Sequence, residues 1–214
     1  MKVIIFGATG MVGQGVLRES LLAKDVEQVL AVVRNPTGVK HPKLRELIVA
    51  DFADLTPVVD ELAGYDACFY CLGVSSVGMD EAAYTRISFD FPIAAARVLA
   101  KLNPDLTFVY VSGAGTNPEG RQMWQRVKAR TETTVIEMFP NGYAARPGII
   151  RPTHGVTSKT RLYRNIYTVA APLLSLLDRV APKYVTSSDK LGRAMLQAAR
   201  GRFARHILEN RDLR

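Results

Sequence analysis

Several features that mark other protein classes are missing from this 214-residue sequence. No uninterrupted apolar run approaches the roughly 18 residues of a membrane-spanning helix, so stable membrane insertion is not expected. Only four apolar residues precede the first glycine, too few for the core of a signal peptide, and a cytoplasmic location is expected. The chain also has no repeat or low-complexity stretch, which favours a single globular domain.

Cysteine and histidine are scarce, with two and three residues respectively. Cys68 and Cys71 lie in an apolar run that predicts a strand, where residues three apart point to opposite faces. They should therefore neither form a disulfide nor share a metal ion, and two buried thiols are a simpler interpretation than a redox motif. The histidines are scattered, so no metal site is predicted.

Positive charge is abundant but uneven, with a formal net charge of +8. Residues 1–150 hold 15 Lys and Arg against 16 Asp and Glu, whereas residues 151–214 hold 13 against 4. The basic C-terminal segment could attract a phosphate-bearing ligand, an anionic membrane or an acidic partner, although a solvated surface is the simplest interpretation. No nucleic-acid partner is predicted.

Short apolar runs alternate with stretches of helical periodicity along residues 1–150. This alternation predicts an α/β fold with a doubly wound parallel sheet of the Rossmann type. Residues 151–214 are predicted to form a small, mostly helical segment on the substrate side, packed on the same domain. Strands are predicted at 2–6, 29–33, 47–49, 66–72, 107–111 and 142–145. Helices are predicted at 14–23, 56–62, 80–102 with a kink or split at Pro92, 122–138 and 187–200.

A glycine-rich sequence, Gly7-Ala-Thr-Gly-Met-Val-Gly13, follows the first predicted strand and opens the first helix. In this position the first glycine permits a tight turn, the second lets the backbone approach a pyrophosphate, and the third lets the helix pack closely. The helix N-terminus adds free N–H groups and a positive dipole. The predicted cofactor contacts here are Gly7, Thr9, Gly10, Met11, Val12 and Gly13.

The end of the second strand distinguishes NAD from NADP. An NAD site usually places a carboxylate there to bind the ribose 2′-hydroxyl. This sequence has Arg34 instead, whose guanidinium can pair with a 2′-phosphate. The sequence therefore predicts NADP(H) as the cofactor, although an arginine at a strand end is also common on ordinary surfaces.

Two later strand ends should line the same cleft, because ligands bind beyond the carboxyl ends of parallel strands. Asp51 and Phe52 follow the third strand and are predicted to border the adenine. Cys71, Leu72 and Gly73 follow the fourth, where the glycine lets the backbone approach the adenine ribose.

With these pieces in order, the chain resembles the short-chain dehydrogenase/reductase superfamily in its atypical branch, near the Tat-interacting-protein oxidoreductases. The resemblance covers roughly residues 1–150, and the C-terminal third resembles no family equally well. The matching segments are 7–13, Arg34, 49–52, 71–73, 111–113, Lys128 and 146–148.

The resemblance implies site residues in the second half of this region. In the family a serine after the fifth strand polarises the substrate carbonyl, and a Tyr-x-x-x-Lys pair follows on the next helix. Ser112 and Lys128 match the serine and the lysine, and Pro147 and Gly148 fall on the cofactor side. The tyrosine position holds Trp124, whose indole N–H donates but cannot serve as a proton shuttle.

The proton donor is therefore open at this point. His154 follows the Arg-Pro-Gly turn near the substrate side and has a suitable pKa range, although an inert loop histidine is the simpler interpretation. Tyr84 on one rim, and Tyr163 or Tyr167 in the C-terminal segment, are alternatives. Residues 160–181 are predicted to form a helical cover over the substrate side. A dimer face, an interfacial membrane helix, or a helix pair that simply packs against the core are the alternative interpretations.

The sequence thus predicts an NADP(H)-binding atypical short-chain reductase that acts on a small carbonyl compound without the usual tyrosine. The alternative is a non-catalytic NADP(H)-binding protein that senses redox state. A homodimer and weak peripheral membrane contact are compatible with both.

Overall fold

The computed structural model describes residues 1–154 and 184–213. The predicted cover at 160–181, with Tyr163 and Tyr167, lies outside the described residues. The strands are β1 (Lys2–Phe6), β2 (Gln28–Val33), β3 (Leu44–Ile48), β4 (Ala67–Tyr70), β5 (Thr107–Val111), β6 (Gly142–Arg146), β7 (Ile149–Arg151), β8 (Val185–Ser187) and β9 (Ile207–Glu209). The α-helices are α1 (Met11–Leu22), α2 (Glu81–Thr85), α3 (Phe91–Leu102), α4 (Met123–Met138) and α5 (Ser188–Ala199). Shorter 3₁₀ helices cover Thr56–Leu62 and Asn210–Asp212.

One parallel sheet organises the molecule, with strand order β3-β2-β1-β4-β5-β6-β9. Alternate residues of β1 enter two separate apolar layers, because successive side chains of a strand point to opposite faces. Val3 and Ile5 pack in the layer of α1 and α5, while Ile4 and Phe6 pack in the layer of α3 and α4. Helices therefore cover both faces, and the predicted doubly wound fold is confirmed.

The helical stretch before β5 is divided, but not at the predicted residue. A π-helical turn spans Arg86–Asp90 between α2 and α3. Pro92 lies at the start of α3, and because it has no N–H it cannot donate to the carbonyl of Ser88, four residues earlier. The π turn is held from two sides, since the carbonyl of Ser88 accepts bonds from Tyr110 Oη (3.2 Å) and Thr131 Oγ1 (2.7 Å).

The C-terminal residues contribute strands that the sequence pattern does not predict. β9 adds a seventh strand beside β6, and β7 pairs with β8 in a separate two-stranded parallel sheet. Each is only three residues long, too short for a periodicity signal. The predicted last helix is confirmed as α5, which packs on α1 at Gly15, where a Cβ would lie 2.5 Å from the Cβ of Ser188.

Candidate active site

The carboxyl ends of the parallel strands meet at one edge of the sheet, and the chain order reverses between β1 and β4. Open α/β sheets bind their ligands at this switch point. Gly7 lies there with φ +79°, a left-handed conformation that favours glycine. A Cβ on Gly7 would lie 2.6 Å from the backbone nitrogen of Leu72, so the two loops are in direct backbone contact.

The three glycines of the 7–13 loop have different packing environments. A Cβ on Gly13 would lie 2.1 Å from the carbonyl oxygen of Gly7, so the fold itself requires a glycine at this position. A Cβ on Gly10 would meet only the Gly7 carbonyl oxygen, at 3.4 Å. The loop is braced by the Gly10 N–H, which donates to Gly7 O (2.9 Å), and by Gln14 Nε2, which donates to Thr9 O (3.1 Å). No contact among residues 1–154 and 184–213 explains glycine at position 10, which leaves room for a ligand.

The N-terminus of α1 points to the same space. No side chain caps this helix, and its first turn, beginning at Met11 and Val12, contains no acidic residue. Uncapped N–H groups and the helix dipole favour an anion at this place.

Arg34 follows β2 directly and is exposed. It makes no hydrogen bond or ion pair with the residues that the structure describes. The loop behind it is tied to β3, since the carboxylate of Glu46 accepts the Thr37 N–H at 2.8 Å and also binds the Thr37 hydroxyl. The carboxylate of Glu46 is therefore occupied by Thr37, and the guanidinium of Arg34 has no partner among the described residues that an anionic ligand would have to displace.

Asp51 and Phe52, in the loop that follows β3, differ in environment. Asp51 is exposed, accepts the Ala53 N–H at 2.9 Å and lies 3.9 Å from Arg86. Phe52 is only 4% exposed, because its ring packs in the core near Phe6 and Phe91. Its ring thus belongs to the apolar layer beneath the cleft.

The loop after β4 brings three predicted residues to the switch point. Cys71 and Leu72 are half-buried and Gly73 is exposed, with no neighbour within 4 Å of a Cβ placed there. Cys71 packs on the α1 layer while Cys68 lies in the other, which confirms that the thiols face opposite sides of the sheet. Burial raises the pKa of both thiols, so they stay protonated at neutral pH.

Ser112 and Lys128 are joined at the end of β5. Ser112 is buried, its N–H donates to Ala145 O (2.8 Å), and its carbonyl accepts from Lys128 Nζ (2.8 Å). Burial lowers the pKa of Lys128 to about 8, against the opposing charge of Glu132. Part of the Lys128 population is therefore uncharged just above physiological pH.

An ion pair one turn along α4 from Lys128 was not predicted. Glu132 is 2% exposed, and Arg146 of β6 binds both of its oxygens, at 3.0 Å from Nε and 2.6 Å from Nη2. Arg146 also reaches Glu209 of β9 at 3.2 Å. The one signal in the sequence was the i, i+4 spacing of Lys128 and Glu132, which places the carboxylate on the same helix face as the lysine.

Trp124 begins the same helix face, four residues before Lys128. Its Nε1–H donates to Gln122 Oε1 (3.0 Å), and its ring edge lies against Gly115, which has φ +88°. The indole N–H is thus used within the protein.

A cavity of about 730 Å³ opens beside Ser112. Among the described residues that line it, the side chains are apolar except for the Ser112 and Tyr184 hydroxyls and the Trp124 N–H, and none is acidic or basic. The loops after β5 and β6 form its wall, since the Ala114 N–H donates to Pro147 O (2.8 Å) and Gly148 N–H donates to Asn210 Oδ1 (2.8 Å). The lining residues are Ser112, Gly113, Ala114, Trp124, Pro147, Gly148, Ile149, Ile150, Tyr184 and Val185.

The two other proton-donor candidates within the described residues, His154 and Tyr84, do not line this cavity. His154 is exposed, has φ +54° and is not among the lining residues. The prediction that Tyr84 lies on a rim is wrong: it is 1% exposed, because its ring is buried in the fold. Within residues 1–154 and 184–213, no helix is long and apolar enough to cross a membrane, and no cluster of metal-ligating side chains occurs.

Comparison with known proteins adds to this geometry. A family model described as "NAD(P)H-binding" matches residues 7–143. "Leucinostatins biosynthesis cluster protein T" of Purpureocillium lilacinum is 28% identical over 140 residues, 63% of this chain and 51% of that protein. "Protein FMP52-2, mitochondrial" of Scheffersomyces stipitis is 29% identical over 150 residues, 68% of this chain and 65% of that protein. The matches thus span half to just under two thirds of these relatives.

Solved structures share the fold at low sequence identity. A short-chain dehydrogenase/reductase-family oxidoreductase from Burkholderia thailandensis superimposes with a TM-score of 0.71 at 16% identity, over 97% of this chain and 89% of that one. The Bordetella bronchiseptica enzyme WbmF, solved in complex with NAD⁺, gives 0.67 at 16% identity, over 92% and 69%. The fold recognised from the sequence is confirmed.

Proposed function

Because this chain belongs to the NAD(P)H-binding family, we propose that it is an NADP(H)-dependent reductase acting on a small, uncharged, apolar carbonyl compound. The observation that carries the proposal is the apolar cavity with Ser112 in its wall, formed by the loops that follow β5 and β6. The bound cofactor would supply the hydride.

The residues at the switch point fit a dinucleotide. Residues 7–13 offer an uncapped helix terminus and, at Gly10, a backbone without a side chain at a place where the packing of the described residues does not require glycine. In this proposal they bind the pyrophosphate, while Asp51 and residues 71–73 border the adenosine. Lys128 holds the nicotinamide ribose, and residues 147–148 bound the nicotinamide end.

Arg34 supports NADP(H) over NAD(H). It is exposed at the end of β2 and makes no ion pair with described residues, so a 2′-phosphate can pair with it without displacing a partner. Charged hydrogen bonds contribute about 1.5–3 kcal/mol, so NADPH should bind about tenfold or more tightly than NADH. Titration calorimetry should show this preference, Arg34→Ala should remove it, and Arg97→Ala on exposed α3 surface should keep it. Equal affinities in the wild type contradict the assignment.

On the substrate side, Ser112 orients the oxygen and the apolar wall excludes water. Trp124 supplies wall but no proton, since its N–H is bound by Gln122. The proton reaches the product from water or from a group outside the family's tyrosine position. His154 would have to move to fill this role, because it does not line the cavity.

Deuteride transfer tests the function directly. With NADPH deuterated at its transferable position and a panel of uncharged apolar ketones and aldehydes, deuterium should appear in the product alcohol by mass spectrometry. Ser112→Ala should lower kcat/KM about 100-fold while NADPH affinity stays unchanged.

The use of the indole N–H within the protein favours one alternative, a non-catalytic sensor of NADP(H). Tight NADPH binding with no deuterium transferred to any compound of the panel would make this alternative the better account. A sensor should also distinguish NADPH from NADP⁺ by a ligand-dependent change in a partner-binding surface.

A further inference from the structure

Thr116 lies in the turn after β5 and was not singled out by the sequence. It is 5% exposed, like Ser112, and the two hydroxyl oxygens lie 2.9 Å apart. The Thr116 hydroxyl also lies 2.8 Å from the carbonyl oxygen of Gly113. Thr116 is therefore in direct hydrogen-bond contact with the hydroxyl of Ser112, the residue at the end of β5 that lines the cavity.

The backbone of Ser112 is fixed on both sides, which leaves only its hydroxyl to reorient. Its N–H donates to Ala145 O, and its carbonyl accepts from Lys128 Nζ, both at 2.8 Å. What Ser112 can offer a ligand thus depends on where its single hydroxyl proton points.

Proton counting gives that direction. A carbonyl oxygen only accepts, so the bond between Thr116 and Gly113 uses the one proton that the Thr116 hydroxyl has. The bond between the two hydroxyls must then use the proton of Ser112. In this arrangement both hydroxyl protons have an acceptor. The hydroxyl oxygen of Ser112 can then offer the cavity only a lone pair, which accepts a hydrogen bond.

We infer that Thr116 sets the hydrogen-bonding polarity of Ser112, so that the folded cavity presents an acceptor and favours an alcohol over the corresponding carbonyl compound. This rests on the proposed function, because it takes the cavity to be the substrate site. An alcohol can donate directly to Ser112 as it stands. A ketone has no proton to donate, so Ser112 must turn its own proton away from Thr116 to bind it.

The consequence is a built-in bias between the two ends of the reaction. Carbonyl binding exchanges the bond between Ser112 and Thr116 for a bond to the ligand, whereas alcohol binding adds a bond without losing one. Thr116 is a positioning residue here, since it touches Ser112 rather than the ligand.

Neutron diffraction on the deuterated full chain tests the assignment without any variant. The expected result is the deuterium of Ser112 on the line between the two hydroxyl oxygens and the deuterium of Thr116 directed at Gly113 O. A Thr116 deuterium on the line to Ser112 overturns the inference, whether or not the cavity binds substrate.

Ligand affinities test the consequence. Dead-end complexes avoid turnover: 4-tert-butylcyclohexanol is titrated into the NADPH complex and 4-tert-butylcyclohexanone into the NADP⁺ complex by calorimetry. Thr116→Val, of nearly the same shape, frees the Ser112 proton, and the ketone should gain about fivefold in affinity relative to the alcohol, the effect of one hydrogen bond. Thr116→Ser keeps a hydroxyl and should retain the wild-type ratio.

The outcomes distinguish a failure of the role inferred for Thr116 from a failure of the proposed reductase function. An unchanged ratio in Thr116→Val, with both ligands bound, overturns the inference and leaves the proposed reductase standing. If neither ligand binds the wild type, the proposed substrate class fails, and the neutron experiment alone decides the direction of the Ser112 proton.

Discussion

The two halves of the cleft at the strand ends are built by different means. The half at β1 depends on backbone: close contacts at Gly7 and Gly13, and an uncapped helix terminus. The half at β5 depends on side chains, with the Ser112 hydroxyl bonded to Thr116 and the Lys128 ammonium on the serine carbonyl. Backbone contacts tolerate no added atom, whereas hydrogen-bonded side chains can be exchanged while the fold persists.

The largest expected effect comes from the backbone half. Gly13→Ala places a methyl group where the Gly7 carbonyl oxygen would be 2.1 Å away, so the loop or α1 must shift. We expect the Tm of the chain without cofactor to fall by about 5–10 °C in calorimetry. A wild-type Tm in this variant would show that the contact is easily relaxed.

Gly10→Ala is the matched comparison in the same loop. Its methyl meets only the Gly7 carbonyl oxygen, at 3.4 Å, so the Tm without cofactor should stay near that of the wild type. A pyrophosphate approaching this backbone would meet the methyl, and NADPH affinity should fall about tenfold or more by calorimetric titration. If Tm falls and affinity does not, Gly10 serves the fold and not the ligand.

The side-chain half should respond to pH. Burial lowers the pKa of Lys128 to about 8. The side chain is therefore positively charged below that pH and loses its charge as the pH rises through it. If the charged form binds the cofactor, NADPH affinity should fall about fivefold from pH 7 to pH 9. Lys128→Met should bind more weakly at pH 7 and show no such dependence; a dependence that persists in this variant assigns it to another group.

The smallest effect is expected at Trp124. Its ring forms cavity wall, and its N–H bonds within the protein to Gln122. Trp124→Phe should leave NADPH affinity within about twofold of the wild type, because no cofactor contact is assigned to the indole. If Trp124→Phe abolishes cofactor binding while Lys128→Met leaves the NADPH affinity unchanged, the assignment of the α4 face that carries Lys128 to the cofactor is wrong.

The same contrast explains what the sequence could predict. Glycine spacing after a strand implies a backbone geometry directly, so the 7–13 loop was predictable, and the alternation of strands with helices predicted the doubly wound parallel sheet. The buried pair of Glu132 with Arg146 and the hydroxyl pair of Ser112 with Thr116 depend on side chains brought together by packing. Tyr84 shows the limit most clearly, because the short sequence Glu81–Thr85 gave no sign that the ring of its tyrosine is buried.

The C-terminal strands teach a similar lesson. β9 is three residues long and is held to β6 by a parallel ladder and by the ion pair between Arg146 and Glu209. Neither its length nor its composition predicts a strand, since pairing with an existing sheet decides its conformation. The segment 160–181, predicted as a helical cover, stays a prediction.

The pairing of β7 with β8 fixes the two ends of the segment that joins them. Just after β7, Thr153 Oγ1 bonds to Ser188 Oγ (2.8 Å) and Asp189 Oδ1 (3.0 Å) at the start of α5, so both ends are held by residues outside that segment. Doubling the length of a connection between such fixed ends costs only about 0.6 kcal/mol, so a change in the length of this connection should alter the stability of the sheet only slightly.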